Sequence, residues 1–201
     1  MNVVAAAKAA SATTHEMLLT AAADLLQRVG YASFSYRDLA KVVGIRSASI
    51  HYHFPAKADL GIALVERFRK EGATCWQEME DAHPDVRSRL RAVAEMLAAN
   101  TCGAGKSCPI NSLQAEFSVL PKPLQRVVQR VVNECLERLA GWLEDGRTRG
   151  QLHFPGNAIA QARLVWSVYE YGSQLARTNP NQPFIPLAEQ LLDTMAAPKR
   201  R

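Results

Sequence analysis

The chain has 201 residues, a formal net charge of +5 and an apolar fraction of 48%, which is enough to form a hydrophobic core. No apolar run is as long as a membrane span, and the alanine-rich N-terminus, interrupted at Lys8, lacks the apolar region of a secretory signal. The four cysteines include no CxxC pair, which argues against a disulfide framework and favours a cytoplasmic location.

An all-α fold is predicted, because strand signals are scarce and Ala, Leu, Arg and Glu are plentiful. The first helix is predicted over residues 13–29, after a frayed arm of about 12 residues. Thr13 and Glu16 have the spacing of a capping box, and Gly30 follows the last residue of the apolar stripe.

Two short helices are predicted next. The second helix begins after the N-cap residue Ser35, has Asp38 in its first turn and ends at Gly44, which permits a left-handed turn. The third helix covers about residues 47–53 and cannot continue through Pro55.

Six further helices are predicted from apolar residues at helical spacing and from the prolines that interrupt them. Their spans are about 57–80, 86–100, 109–119, 124–145, 157–177 and 187–195. The predicted architecture is an N-terminal three-helix helix-turn-helix domain, residues 1–55, followed by a larger C-terminal helical bundle, residues 56–201, with about nine helices in total.

Residues 35–57 are the segment most informative about function. Two helices joined by three residues must cross at a steep angle, which is the helix-turn-helix geometry that places its second helix in the DNA major groove. The segment carries four basic residues against one acidic residue, a net charge of +3: Arg37, Lys41, Arg46 and Lys57 against Asp38. This pattern predicts binding to double-stranded DNA, with phosphate contacts supplying most of the affinity.

The segment GIRSASIHYHFPAKADL, residues 44–60, resembles the helix-turn-helix signature of TetR-type transcriptional regulators. The matching positions are Gly44, Ile45, Ser49, Ile50, Tyr52, His53, Phe54, Lys57 and Leu60. Two positions depart from the usual pattern, since Arg46 replaces a capping Ser and His51 replaces a Tyr. The resemblance implies a DNA-binding regulator whose larger domain holds a small-molecule effector and a dimer interface.

The resemblance also implies roles for individual residues. Base edges or nearby phosphates would be met by Ser47, Ser49 and His51, while Arg46 also falls where DNA would be met. The DNA backbone would be clamped by Tyr52, His53 and Lys57, and contacted on the other flank by Ser35 and Arg37. The alternative is that His51, His53 and Arg46 are simply solvated, and no metal site is expected because the two histidines lack a third ligand.

Aromatic and flexible residues of the larger domain are candidates for lining an effector pocket, although such stripes are also typical of a core. They are Trp76, Met79, Met96, Phe117, Trp142, Trp166 and Tyr169. A homodimer is expected, because one recognition helix reads too few base pairs. Its interface is predicted on the eighth and ninth helices. The candidate residues form an apolar stripe that would otherwise belong to the core: Val165, Trp166, Tyr169, Gly172 and Leu175.

Two cysteines are candidates for redox or electrophile sensing. Cys102 and Cys108 flank a glycine-containing loop, and Lys106 lies between them in a position to lower a thiol pKa. The alternative is that both are unreactive. Cys75 and Cys135 lie on apolar stripes and are predicted to belong to the core.

The predicted function is therefore that of a transcriptional regulator, most simply a repressor that a small molecule or electrophile releases from its operator. No cofactor, membrane association or enzymatic activity is expected. The alternatives are a transcriptional activator of the same fold, a helical adaptor that binds protein, and an enzyme that uses Cys108 with a histidine.

Overall fold

The computed structural model describes the chain over residues 3–101, 106–179 and 183–197, and its side chains over 13–100, 106–179 and 183–197. These ranges contain nine α-helices and no strand, which confirms the predicted fold class. The bounds are α1 Val3–Val29, α2 Tyr36–Val43, α3 Ser47–His53, α4 Lys57–Ala82, α5 Val86–Thr101, α6 Pro109–Ala115, α7 Lys122–Thr148, α8 Ala158–Thr178 and α9 Phe184–Thr194, with a 3-10 turn over Phe117–Val119.

Four helices differ clearly from the prediction at an end. α6 stops at Ala115 instead of reaching about residue 119, and a 3-10 turn over Phe117–Val119 follows it. The first helix begins at Val3, not at residue 13, because the alanine-rich segment before Thr13 has a high helix propensity and continues the helix. α7 runs through Gly146 to Thr148. α9 begins at Phe184 and takes Pro186 into its first turn, where the backbone N–H that proline lacks has no partner within the helix.

The chain divides into two compact units. The first comprises Met1–Arg69 with Pro109–Val128, and the second comprises Lys70–Cys108 with Gln129–Arg201. The first unit is therefore larger than the domain predicted over residues 1–55. The N-terminal half of α4 and the helix α6 are added to it, and α6 packs against α1. The division of function between the parts of the chain stays a prediction.

The core of the first unit joins α1, α2, α3 and α4. It is built around fully buried residues of these helices: Leu18, Leu26, Leu39, Ile50, Leu60 and Leu64. Gly61 of α4 allows a close approach, because a Cβ at this position would lie 2.7 Å from a methyl group of Leu124 and 3.0 Å from the ring of Tyr31.

The second unit has its core between the C-terminal half of α4 and the helices α5, α7, α8 and α9. Trp76, Leu90, Leu139, Trp142, Val165, Tyr169 and Leu192 are among its buried members. The Tyr169 hydroxyl donates a hydrogen bond of 3.0 Å to the Leu90 carbonyl, which satisfies the polar atom of this buried ring. α8 and α9 approach closely at Gly172, where an added Cβ would lie 2.8 Å from the Phe184 ring and 2.9 Å from a Leu187 methyl group.

Gly172→Val is expected to lower the free energy of unfolding by about 1–3 kcal/mol, because the added side chain overlaps the α9 side chains packed against α8. The measurement is urea unfolding followed by circular dichroism. Gly141→Val on α7 is the matched control, since nothing lies within 4 Å of a Cβ built there, and it should change stability by less than about 0.5 kcal/mol. Equal stability of the two variants would contradict the close helix approach.

Candidate nucleic-acid interface

A reciprocal cap fixes the start of α2. The backbone N–H of Asp38 donates to the Ser35 hydroxyl at 3.3 Å, and the backbone N–H of Ser35 donates to the Asp38 carboxylate at 3.0 Å. The Ser35 hydroxyl also donates to this carboxylate at 2.6 Å, and these bonds lower the pKa of Asp38. The predicted N-cap is confirmed, and the same contacts occupy the Ser35 hydroxyl that was expected to meet DNA.

The turn between α2 and α3 depends on Gly44. Its φ of 77° lies in the left-handed region, and the N–H groups of Gly44 and Ile45 both donate to the Ala40 carbonyl, at 2.9 and 3.1 Å. These bonds satisfy the end of α2 and turn the chain sharply into α3. The glycine confirms the turn predicted from sequence.

α3 buries one of its seven side chains completely. Ile50 has no exposed surface, and the following Phe54 is also buried. The Tyr36 hydroxyl of α2 donates a hydrogen bond of 2.9 Å to the Phe54 carbonyl and so ties the end of α3 to the start of α2. The remaining α3 side chains are exposed or half-buried, with Tyr52 at 80% exposure.

The predicted DNA contacts fall into two groups. Those exposed on α2, α3 and their flanks are Ser35, Arg37, Arg46, Ser49, His51 and Tyr52, whereas Ser47, His53 and Lys57 are half-buried. Arg46 occupies the N-cap position of α3 and makes no capping bond with its side chain, so its guanidinium does not support the helix start. Lys41 is a further exposed cation on α2, outside the set of predicted DNA contacts.

His51 is oriented by two neighbours. Its Nδ1 lies 3.2 Å from the Pro55 carbonyl oxygen, and its ring meets the edge of the Tyr36 ring at a centroid distance of 4.8 Å. A carbonyl oxygen can only accept, so Nδ1 carries the proton of this bond. In the neutral imidazole, Nε2 is then an acceptor.

His53 differs from His51 in its surroundings. Partial burial and the nearby His15 lower its pKa, which favours the neutral ring at pH 7. The His53 ring packs against Tyr52 and His15 at centroid distances of 5.3 and 6.1 Å. A contact from His53 to a phosphate would therefore be a neutral hydrogen bond rather than an ion pair.

Lys57 is turned into the first unit. Its ammonium donates to the carbonyl oxygens of Tyr31 and Phe34 and lies 4.5 and 4.4 Å from the centroids of their rings. Burial lowers the pKa of Lys57. These contacts join the start of α4 to the connection between α1 and α2, so the phosphate contact expected for Lys57 stays a prediction that requires the ammonium to leave them.

Glu116 is a structural residue of this unit that sequence reasoning missed. Its carboxylate accepts a hydrogen bond of 2.6 Å from the backbone N–H of Ala32. Gly30, with a φ of 89°, leaves the space for it, since a Cβ there would lie 2.1 Å from a Glu116 carboxylate oxygen. No local pattern could have paired residues 84 positions apart.

The family model described as "Bacterial regulatory proteins, tetR family" matches residues 18–64, which span α2, α3 and their flanks. A solved TetR-family transcriptional regulator from Agrobacterium tumefaciens is 30% identical, with a TM-score of 0.88 over 93% of this chain and 100% of that chain. This chain belongs to the TetR family of transcriptional regulators. Regulators of this family bind DNA.

Two named relatives extend the comparison. The transcriptional regulator AcuR of Cereibacter sphaeroides is 24% identical over 159 residues, 78% of this chain and 73% of that protein. The repressor NemR of Escherichia coli K12 is 23% identical over 159 residues, 78% of this chain and 80% of that protein. The structure of E. coli NemR in its reduced form shares the fold, with a TM-score of 0.81 at 21% identity over 93% of this chain and 100% of that chain.

The effector candidates of this TetR-family regulator do not form one group. Phe117 belongs to the first unit and the other six to the second. Tyr169 and the packed pair Trp76 and Trp142 are buried core residues, and Trp142 Nε1 donates to the Glu80 carboxylate at 2.5 Å. Met79, Met96 and Trp166 are half-buried at the edge of this core.

Three of the five residues predicted for the dimer stripe on α8 are buried within their own unit. Val165, Tyr169 and Gly172 face the core of their own unit, as the alternative interpretation had it, while Trp166 and Leu175 are half-buried. A second apolar stripe lies on the other side of α8. Its residues are Leu164 and Tyr171, exposed by 57% and 70%, and the half-buried Val168 and Leu175.

The cysteines differ in their surroundings. Cys102 lies outside the described residues. Cys75 and Cys135 are half-buried, not core residues as predicted. Burial raises the pKa of Cys75, and raises that of Cys135 to about 11, so both are poor nucleophiles. Cys108 is half-buried and lies beside the buried carboxyl group of Glu170.

Neither a membrane segment nor a metal cluster is found in the part of the chain that the structure describes. None of its helices is long and apolar enough to cross a bilayer. No three His, Cys, Asp or Glu side chains among the described residues are placed to hold a metal ion.

Lys57→Met is expected to lower the free energy of unfolding by about 1.5–3 kcal/mol, because two carbonyl oxygens lose a charged donor. The measurement is denaturant unfolding, with Lys41→Met as control, since the Lys41 side chain is 73% exposed and its removal should cost less than about 0.5 kcal/mol. If Lys57→Met instead kept full stability and reduced the salt dependence of DNA binding, Lys57 would be a phosphate contact.

Proposed function

We propose that this regulator is a ligand-responsive repressor that acts as a homodimer, binds a double-stranded DNA operator and functions in the cytoplasm. Residues 1–55 would supply the DNA-binding domain, and residues 56–201 would hold the effector and the dimer interface. The observation that carries the proposal is the form of α3, which is anchored by Ile50 and presents polar side chains outward. NemR is a repressor by name, which favours repression over the alternative of activation.

DNA recognition would combine three kinds of contact. Ser49 and the acceptor Nε2 of His51 would meet base edges, because both lie on the exposed side of α3. Ser47 would meet the same edges or adjacent phosphates. Tyr52 and His53 would hold the DNA backbone with neutral donors, and Arg37 and Arg46 would supply charge.

The dimer would form on the outer stripe of α8. Leu164, Val168, Tyr171 and Leu175 recur at intervals of three and four residues and so form one face of the helix. An exposed apolar face of this kind is typical of an interface with a second copy, and a two-fold dimer would present two α3 helices to a near-palindromic operator.

The effector would act within the second unit, where the half-buried Met79, Met96 and Trp166 border the core. Trp166 is the strongest of these candidates, because its buried indole N–H finds no hydrogen-bond partner in the part of the chain that the structure describes. Cys108 is the candidate for reaction with an electrophile. Coupling of about 1–3 kcal/mol between effector and operator would relieve repression roughly 5- to 150-fold.

A route for this coupling follows from the order of the helices. α4 begins in the first unit and ends in the second. Cys108 directly precedes α6, which packs against α1 in the first unit. A change at the effector would shift α4 or α6 and alter the spacing of the two α3 helices in the dimer.

His51→Ala is expected to weaken operator binding by about 1–3 kcal/mol, or roughly 5- to 150-fold, because a base contact is lost. The operator is first selected from a random duplex library, and binding is then measured by gel-shift titration. His153→Ala is the matched control, since His153 is an exposed histidine of the second unit and should bind as the wild type does. Unchanged binding by His51→Ala would remove its role in base reading, and failure to select any duplex would remove the proposed function.

Leu164→Glu combined with Tyr171→Glu is expected to give a monomer in sedimentation velocity, because two buried carboxylates would face each other across the two-fold axis. Operator affinity should fall with dimerisation. Val119→Glu is the control, since Val119 is 69% exposed in the first unit and should leave the dimer intact. A dimer that survives both α8 substitutions would place the interface elsewhere.

A further inference from the structure

The Glu170 carboxyl group has no assigned partner in the functions considered so far. Its side chain belongs to α8, and Glu170 is only 7% exposed. Among the described residues, no donor meets either carboxyl oxygen at full hydrogen-bond geometry. A buried carboxylate without a cation is costly, because its charge is removed from water without compensation. Such a group in a small helical regulator calls for a chemical explanation.

Cys108 is a polar neighbour that acts on this carboxyl group. The thiol is close enough to lower the pKa of Glu170 through hydrogen bonding, although burial dominates and raises that pKa to about 7. Both residues lie in the second unit, and Cys108 is half-buried and so accessible to a small reagent. The thiol and the carboxyl group thus form a pair within one unit.

The pKa of Glu170 is set by burial and by Cys108, whereas the charged groups of the neighbouring helices affect other residues. On α7, Cys135 is affected by Glu170 together with Glu134 and Arg138. On α5 and α9, Arg87 and Arg91 form ion pairs with Glu189, and Arg87 and Glu189 affect the pKa of Tyr169. Lys106 lies two residues before Cys108 and is half-buried.

We propose that Glu170 is the proton acceptor for Cys108 when this thiol adds to a soft carbon electrophile, such as an α,β-unsaturated carbonyl compound. This inference rests on the proposed electrophile response and assigns the residue that makes the thiol reactive. Cys108 is the group that forms the covalent bond, and Glu170 acts on its proton.

The step balances without any further reactant. The S–H bond of Cys108 breaks, and its proton moves to the Glu170 carboxylate while sulfur forms a bond to the β-carbon of the electrophile. The electron pair of the carbon–carbon double bond moves towards the carbonyl group and gives an enolate. The enolate then takes the proton from Glu170 at its α-carbon, which leaves a thioether and restores the carboxylate.

The environment of the pair suits this proton transfer. A positioned base is most effective when its pKa lies near the working pH, and burial places Glu170 there. Transfer of the proton from thiol to carboxylate leaves one negative charge in the buried site at every stage. Direct ionisation of the thiol to solvent would instead place two anions side by side, which burial disfavours.

The pH profile of alkylation distinguishes this mechanism from an unassisted thiol. In the wild-type protein, the rate at Cys108 should rise with pH through about 7, as Glu170 ionises, and then level off. A thiol without a base should instead gain nearly tenfold in rate per pH unit up to its own pKa. Cys75 provides that unassisted reference in the same sample, because burial raises its pKa.

The experiment treats the full chain with N-ethylmaleimide between pH 6 and pH 8.5, quenches the reaction at short times and follows each cysteine peptide by mass spectrometry. Glu170→Gln is expected to slow alkylation of Cys108 about 10- to 100-fold at pH 7 and to replace the plateau by a steady rise. Glu170→Asp should keep a plateau at a reduced rate. Cys75 should react alike in all three proteins.

Two results would overturn the proposal. One is a wild-type rate at Cys108 that keeps rising tenfold per unit above pH 7.5. The other is a Glu170→Gln variant that reacts as fast as the wild type or faster, which would show that the carboxylate merely repels a thiolate. The wild-type profile decides the question even if the variants fold poorly.

The same protein tested for operator release separates this proposal from the function on which it rests. A plateau that depends on Glu170, in a protein that binds no duplex, would leave the chemistry standing and remove the repressor. If the reagent released the operator but the Cys108 rate showed no plateau with pH, the repressor function would stand and the role of Glu170 would be removed. Cys108→Ser should lose the reaction at this site in either case.

Discussion

Burial of Ile50 is the contact on which the DNA-facing surface depends. α3 has only seven residues, too few to be stable as an isolated helix, so its position is set by packing and by its ends. Ile50 fixes which side faces inward, the left-handed Gly44 sets the angle of entry, and the bond from Tyr36 to the Phe54 carbonyl holds the exit. Burial of Ile50 on one side of α3 leaves the polar side chains of the helix on its exposed side.

The helix-turn-helix was predictable because its signals are local. Ser35 and Asp38 cap α2 from three residues apart, Gly44 has the left-handed turn that its position required, and α3 has the bounds 47–53 that were predicted. The role of Lys57 was not predictable in the same way. A lysine at a helix start suggests a phosphate contact, and only the fold brings the carbonyl groups of Tyr31 and Phe34 to its ammonium.

α8 shows why the second unit was harder to interpret. The helix carries two apolar stripes, one through Val165, Tyr169 and Gly172 and the other through Leu164, Val168 and Tyr171. Periodicity identifies both stripes but not which of them meets α5 and α9, because either could be buried. The pairing of Cys108 with Glu170 was not predictable from the sequence either, because contacts between residues far apart in the chain leave no local pattern.

The contact between Glu116 and Ala32 has a consequence for how the first unit can be made. The turn after α1 receives its carboxylate partner from a residue that the ribosome adds 84 positions later. A chain that stops at residue 55 lacks this carboxylate, so the backbone N–H of Ala32 loses its partner. The first unit is thus completed only after α6 and the following residue Glu116 have been synthesised.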